Sequence, residues 1–403
     1  MSRPDLIDRL ARAQAGRARQ SLLRKLRTIE QVDGARIVID GKPLLNFASN
    51  DYLGLAQHPA LTESLVRAAA QWGVGAGAAH LLGGHRDEHA ELERKLANWT
   101  GRESALLFST GYMANLGAIQ ALLGAGDPGS GPGQAVCVQD KLNHASLLDA
   151  AHLSGVELVR YVHADGASAK RQLAARAGAP ALLATDGVFS MDGEVAPLAE
   201  LAALCTTQHA TLMVDDAHGL GVLGDEGAGS VNEAHLTGRQ VPVLMGTLGK
   251  ALGVAGAFVA GSAALIDGLV QFARPHIYST ALPPALASAA SAAIDIARFE
   301  DWRRDKLRRL VAHFRHGARE RGITLLESRT PIQPVMIGAS NLALVAMQSL
   351  EAQGFFVPAI RPPTVAQGKA RLRVVLSARH EEADVEQLLN ALARAIGHAR
   401  TER

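Results

Sequence analysis

Cysteine is nearly absent from this 403-residue chain: only Cys137 and Cys205 occur. Two thiols cannot build a disulfide framework or a cysteine-rich metal centre, so the expected setting is a reducing compartment, the cytoplasm by default. Net charge is also scarce, at +2 from 41 basic and 39 acidic residues, and nothing in that balance calls for a nucleic-acid partner. The charge-free run Ala251–Ile266 is broken by Gly253, Gly256 and Gly261, too short and too glycine-rich to span a membrane. The first residues carry arginines with no apolar stretch behind them, so no signal peptide is expected. No internal repeat or low-complexity tract stands out.

What is present is an alternation. Ala105–Phe108, Ala135–Val138, Val156–Val162, Ala181–Ala184, Thr211–Val214 and Val243–Met245 read as buried strands. Between them Asp87–Trp99, Tyr112–Leu123, Ala145–Leu153 and Pro197–His209 read as helices. This spacing predicts an α/β fold with a mostly parallel central sheet covered by helices. "GAGDPGSGPGQ" (124–134) reads as a surface loop within that domain, because a strand follows at once. Beyond "LPP" (282–284) the pattern turns to long charged helices (Phe299–Arg321), a strand-like "ARLRVVLS" (370–377) and a closing helix from about Glu382. The expected organisation is an N-terminal helix and arm (1–49), a large domain (50–290) and a smaller α+β domain (291–403). Within 1–27, eight Lys/Arg face only Asp5 and Asp8, with Leu6, Leu10, Leu22 and Leu23 at helical spacing, as in a solvated basic helix.

Three stretches match motifs by letters and fail by context. "GLGVLG" (219–224) spells a dinucleotide fingerprint, but loop follows it rather than a helix, and no acidic residue ends a second strand downstream. "HRDEH" (85–89) spells an inverted zinc-peptidase pattern, which needs both histidines on one helix face; His85 follows Gly83-Gly84 and is expected to precede the helix. A zinc peptidase using His85 and His89 stays as a remote alternative. "TLGKAL" holds a Gly-Lys pair, but Leu244 and Ala251 stand where a phosphate-cradling loop needs glycine and Ser/Thr.

A different constellation survives. Lys250, in "GTLGKALGVAGA" (246–257), is the one charged side chain between Arg239 and Asp267. "TLMVDDAHGLG" (211–221) is a buried strand ending in Asp215, with His218 three residues on. Strand ends of a parallel sheet point into the ligand crevice, and a buried carboxylate there needs a cation. Pyridoxal phosphate meets both demands: its ring nitrogen takes a carboxylate and its aldehyde takes a lysine amine. Apolar neighbours favour an unprotonated lysine, and small ones let the cofactor approach. "STGYMAN" (109–115) offers the amides of Gly111 and Tyr112 at a helix N-terminus for a phosphate. His144 at another strand-to-helix junction is placed to stack on a ring, Ser190 follows a strand, and Thr247 lies three residues before the lysine.

"FASNDYLGL" (47–55), "STGYMAN", "NHASLLDA", "TDGVFSMDGEVAPL", "VDDAHGLGVLG", "TLGKALGVAGA", "YSTALPPA" and "AIRPPTV…RLRVVLSARH" together resemble the α-oxoamine synthases from about Arg24 to the C-terminal helix. These are fold-type I pyridoxal phosphate enzymes that join an amino acid to an acyl thioester. The resemblance implies that Lys250 is the Schiff-base lysine and takes the substrate α-proton. It implies Asp215 at the pyridine nitrogen, His218 at the ring hydroxyl, His144 stacked on the ring and Ser190 in the cofactor pocket. Gly111, Tyr112 and Thr247 hold the phosphate, with Ser279 or Thr280 supplied by the second subunit of a homodimer. Arg373 and Asn50 fit the amino-acid carboxylate, with His144 beside the substrate; Arg24, Arg361 and Thr364 fit the acyl donor. "HIYSTALPP" and "AIRPPTV" favour L-alanine and a pimeloyl thioester, on coenzyme A or an acyl carrier protein, with other amino acids and acyl donors of the family as the runner-up. Departures are Ala79 in place of a serine, Asp186 of a glutamate and Ala366 of a proline. No metal, nucleic acid or membrane is expected.

Overall fold

The computed structural model describes residues 3, 5–20, 22–124 and 135–401; of the tract read as a loop, 125–134 lie outside the described residues. The chain divides into two compact units. One comprises Asn50–Ser190 and Glu194–Lys306; the other Met1–Ser49, Met191–Gly193 and Leu307–Arg403. The division differs from the expected boundary at 290/291: it falls inside the helix Asp301–Glu320, and residues 1–49 group with the C-terminal part. Both differences have packing reasons. The helix Pro284–Phe299 buries Ala287, Ala290, Ala293 and Ala297 and packs on Pro59–Trp72 and Asp87–Trp99. Phe355–Phe356 adds a parallel strand to Lys42–Asn46.

The larger unit is built on a seven-stranded sheet: β1 (Ser104–Phe108), β2 (Val136–Asp140), β3 (Glu157–Tyr161), β4 (Ala181–Asp186), β5 (Thr211–Asp215), β6 (Val243–Thr247) and β7 (Ala257–Gly261). Their order is β1-β7-β6-β5-β4-β2-β3, and only β7 runs antiparallel to its neighbours. The central strands are largely apolar and buried, as in a sheet covered by helices on both faces. Along β5, Leu212 and Val214 join one core with Val138 and Leu183, while Met213 joins the other with Cys137 and Ala184, the period of two that a pleated strand imposes.

The expected strands stop early at one end. Three of them run two residues further, to Asp140, Asp186 and Thr247, while Thr211–Asp215 closes on Asp215 as expected. Apolar pattern ends where the side chains begin to face the crevice, so the functional residues were the ones it left out. β7 was not expected at all; its "AFVAG" sits in the glycine-broken run that follows Lys250. Val156–Val162 is trimmed to Glu157–Tyr161, and the charged segment Phe299–Arg321 is the helix Asp301–Glu320, preceded by an alanine-rich helix, Pro284–Phe299.

The smaller unit holds two sheets, Gln31–Asp33, Arg36–Ile39, Lys42–Asn46 and Phe355–Phe356 in one, Ile332–Gly338, Ala370–Val375 and Ala359–Ile360 in the other. The closing helix is Glu382–Thr401. The N-terminal helix Leu6–Arg19, capped by Asp5, buries none of its residues. Among the described residues no helix is long and apolar enough to cross a membrane.

Candidate active site

The carboxyl ends of β4, β5 and β6 deliver Asp186, Asp215 and Thr247 to one edge of the sheet, and parallel register sets Asp186 directly beside Asp215. A cavity of about 210 Å3 opens there. Of the residues singled out in the sequence, Gly111, Tyr112, His144, Asp215, His218, Thr247 and Lys250 line it. Asn115, Ser146 and Asp186 line it as well.

Asp215 is buried and doubly hydrogen-bonded: Oδ2 accepts from Asn115 Nδ2 at 2.7 Å and Oδ1 from the amide of Ala217 at 3.0 Å. Asn115 also donates to the Ser146 hydroxyl at 2.8 Å, which lies 2.7 Å from Nδ1 of His144. That nitrogen accepts from the Ser146 amide at 3.3 Å as well, an N-cap to the helix Ala145–Leu153. Desolvation holds the His144 pKa below its ordinary value against the opposing pull of Asp215, with Lys250 also lowering it. Asp186 accepts from the His144 amide at 2.8 Å, and its own pKa is raised well above the usual range by burial and then by Asp215. The shorter carboxylate at this position thus fixes the backbone of His144.

The turn after β5 is held by Asp216, which accepts from the amide and hydroxyl of Ser230, each at 2.7 Å. Burial raises its pKa to about 7. A Cβ at Gly229 would stand 2.0 Å from Oδ2 of Asp216, so glycine is needed where the chain closes over that carboxylate. The turn presents His218, whose Nε2 lies 2.9 Å from Nζ of Lys250.

Ser190, Ser279 and Thr280 belong to the same unit but not to the cavity lining. Thr280 forms a backbone bridge with Ala79, and its carbonyl accepts from Ser109 Oγ at 3.4 Å. Asn50 accepts from the Tyr52 hydroxyl at 3.2 Å. Arg24, Arg361, Thr364 and Arg373 lie in the other unit. There Arg373 is buried in the strand Ala370–Val375, and the Arg361 guanidinium is pushed down by burial and then by the charge of Arg24.

Asn115 and Ser146 were missed as site residues, although both stand inside quoted motifs. Asn115 follows Gly111 by four residues, one helical turn, and so shares its face.

The zinc-peptidase alternative fails on geometry. His85 precedes the helix Asp87–Trp99, whose N-cap is Arg86, and His89 lies within it. With His80 the two form a cluster close enough for a metal. However, both ring nitrogens of His89 are committed, Nδ1 to the amide of Arg86 at 2.9 Å and Nε2 to the carbonyl of Leu282 at 2.6 Å. Nδ1 of His80 and of His85 are 2.9 Å apart. Burial, with the neighbouring imidazoles, drives the His80 pKa down to about 3.

The cavity fits pyridoxal phosphate. Oδ1 of Asn115 is buried there without a hydrogen-bond partner among the described residues. A Cβ at Gly111 would stand 2.8 Å from Cγ2 of Thr247, so glycine keeps open the space between that threonine and the helix N-terminus, whose first amides have no partner within the helix. Fold and cavity together define a fold-type I pyridoxal phosphate enzyme. A family model for aminotransferase class I and II matches residues 42–392. An 8-amino-7-oxononanoate synthase from Pseudomonas aeruginosa (strain LESB58) is 53% identical over 96% of this chain and 94% of its own length. One from Cellvibrio japonicus (strain Ueda107) is 49% identical over 98% and 97%. Among solved structures, a serine palmitoyltransferase from S. paucimobilis with bound PLP superposes with a TM-score of 0.91 at 27% identity, covering 99% of this chain and all of that one. The 8-amino-7-oxononanoate synthase from Francisella tularensis gives 0.76 at 28%, over 88% and 98%. The chain belongs to the aminotransferase class I and II family and, within it, to the 8-amino-7-oxononanoate synthases.

Proposed function

We propose that this chain condenses L-alanine with a pimeloyl thioester to give 8-amino-7-oxononanoate, carbon dioxide and the free thiol, the reaction of its relatives in biotin biosynthesis. The observation that carries the reading is Lys250 opening on the same cavity as buried Asp215, in a chain 53% identical to such synthases. Pyridoxal phosphate, when bound, supplies a carbonyl for the amino group and an electron-withdrawing ring.

The remaining roles belong to the chain. Asp215, held by Asn115 and the Ala217 amide, would be the carboxylate that faces the ring nitrogen. Nζ of Lys250 takes the α-proton of alanine, with His218 beside it. His144, pinned by Ser146 and Asp186, would be the residue that stacks on the cofactor. Ser190, outside the cavity lining, would reach the cofactor from the edge of the same unit. Gly111, Tyr112 and Thr247 receive the phosphate. Asn50 and Arg373 take the alanine carboxylate; Arg24, Arg361 and Thr364 take the acyl donor.

The finer partner readings are part of the same proposal. The enzyme acts as a homodimer that brings Ser279 or Thr280 to the neighbouring site, and the exposed Tyr278 beside them supports a contact there. The basic helix Leu6–Arg19, with Leu6, Ile7 and Leu10 exposed, meets the acyl donor or its carrier protein. Two buried free thiols support a cytoplasmic location.

Borohydride reduction of the yellow protein, followed by peptide mass mapping, is expected to mark Lys250, and Lys250→Ala to lose turnover by on the order of 10^3-fold or more. Colourless protein that takes up no pyridoxal phosphate would sink the reading. Turnover of glycine with a short acyl-CoA, and none of alanine with pimeloyl-CoA, would move the chain to another α-oxoamine synthase activity. Unchanged KM for the acyl donor after neutralising Arg17, Arg19 and Lys25 would remove the helix from donor binding.

A further inference from the structure

Within the larger unit a run of three hydrogen bonds leads from the cavity to Asn50. Nζ of Lys250 lies 2.9 Å from Nε2 of His218, Nδ1 of the same ring lies 2.6 Å from the Tyr52 hydroxyl, and Tyr52 donates to Oδ1 of Asn50 at 3.2 Å. Tyr52 is fully buried and His218 nearly so, which sets these bonds in a low-dielectric interior where each constrains the next.

Proton counting decides what the run can do. A phenol has one proton, and a neutral imidazole has one N–H. When the phenol proton points at Oδ1 of Asn50, a 2.6 Å contact with Nδ1 requires Nδ1–H to donate to the phenol oxygen. Nε2 is then a bare lone pair that accepts from Lys250. When the phenol proton instead points at Nδ1, Nε2 carries the hydrogen and offers Lys250 a donor, which only an unprotonated amine can accept. Asp186 at the end of β4 and His144 at a helix start, which interact electrostatically with Lys250, and Asp215 in the same cavity stand outside this run of hydrogen bonds.

We propose that Tyr52 is a positioning residue that sets which nitrogen of His218 bears the proton, and through His218 the proton affinity of the Lys250 nitrogen, whether free or linked to the cofactor. The amide orientation of Asn50 selects the state: with Oδ1 toward Tyr52, His218 is the Nδ1–H tautomer and accepts at Nε2. In the pyridoxal phosphate reading, on which this inference rests, Asn50 turns its other amide end to the substrate carboxylate. Amino-acid recognition and the protonation of the lysine are then joined by one hydroxyl.

The test uses holoenzyme with 15N-labelled histidine. Wild type is expected to show His218 as the Nδ1–H tautomer, and Tyr52→Phe to move it toward Nε2–H. The pH midpoint of the cofactor's visible absorption is expected to shift by about one unit, a tenfold change in proton affinity. Site-specific 3-fluorotyrosine at position 52, which keeps the shape and acidifies the phenol, is expected to shift that midpoint partway, and it decides the matter if Tyr52→Phe does not fold. An Nδ1–H tautomer and a pH midpoint both unchanged in the variants overturn the inference. Failure of wild type to bind pyridoxal phosphate would instead overturn the functional reading, while the tautomer measurement on the full chain still reports on Tyr52.

Discussion

Asn115 donates from Nδ2 to Oδ2 of Asp215 at 2.7 Å, and both buried side chains line the cavity. The same amide group reaches the Ser146 hydroxyl, so one side chain joins Asp215 to the serine that holds His144.

Replacing Asn115 with Leu keeps the branched shape and removes both bonds. The fold is expected to lose about 1–3 kcal/mol, because Asp215 and Ser146 each lose a buried partner. Turnover should fall further than the unfolded fraction accounts for. Chemical denaturation read beside kcat separates the two effects, and an unchanged kcat would show that Asp215 needs no such support.

Gly111→Ala tests the phosphate end. Its methyl group would meet Cγ2 of Thr247 at 2.8 Å. Overpacking of that kind costs about 1–3 kcal/mol, read here as roughly tenfold or more weaker cofactor binding in a fluorescence titration. Wild-type affinity in the variant would place the phosphate elsewhere.

Glu93 gives a pH signature. Burial raises its pKa to about 7, against a smaller opposing effect of the hydrogen bond it accepts from the Leu107 amide. The unfolded chain ionises it near 4.5, so its contribution to stability is present in acid and is lost as pH rises to about 7. Glu93→Gln keeps the acceptor without the charge. The variant is expected to be more stable than wild type at pH 8, by up to roughly 3 kcal/mol, with the gap closing below pH 5. Parallel stability curves across that range would contradict the buried-acid account.

His89→Ala separates structure from metal binding. The wild-type imidazole bridges the amide of Arg86 and the carbonyl of Leu282 from a fully buried position. Its loss is expected to lower stability by about 2–4 kcal/mol through two unpaired groups and a cavity. Added zinc should leave the wild-type melting temperature unchanged. A stabilising, stoichiometric zinc effect lost in the variant would return the histidine cluster to metal binding.

Much of this site was legible because pattern and chemistry coincide. Asp215, His218 and Lys250 follow apolar runs at sheet spacing, so their position at the crevice followed from period and topology alone. The strand ends themselves were harder to read. Apolar pattern halts at Val138, Ala184, Val214 and Met245, yet pairing continues into the polar residues beyond. Hydrogen bonds of a ladder do not depend on side-chain polarity, so periodicity marks the buried part of a strand and misses its working end.

The strand–helix alternation, the lone lysine in a charge-free stretch and the strand-end carboxylate were determined by the sequence, because each is a local consequence of hydrophobic period and charge; the order of the strands was not. The roles of Asn115, Ser146 and Tyr52 were decided only in three dimensions. Each meets a partner at least 31 residues away, Ser146 from Asn115, Asp215 from Asn115 and His218 from Tyr52. A hydrogen bond across such separations depends on distance and angle, which the packed sheet supplies and no residue spacing encodes. The histidines of "HRDEH" make the same point in reverse: their letters suggest a metal site, and the carbonyl of Leu282, 193 residues away, takes the nitrogen it would need.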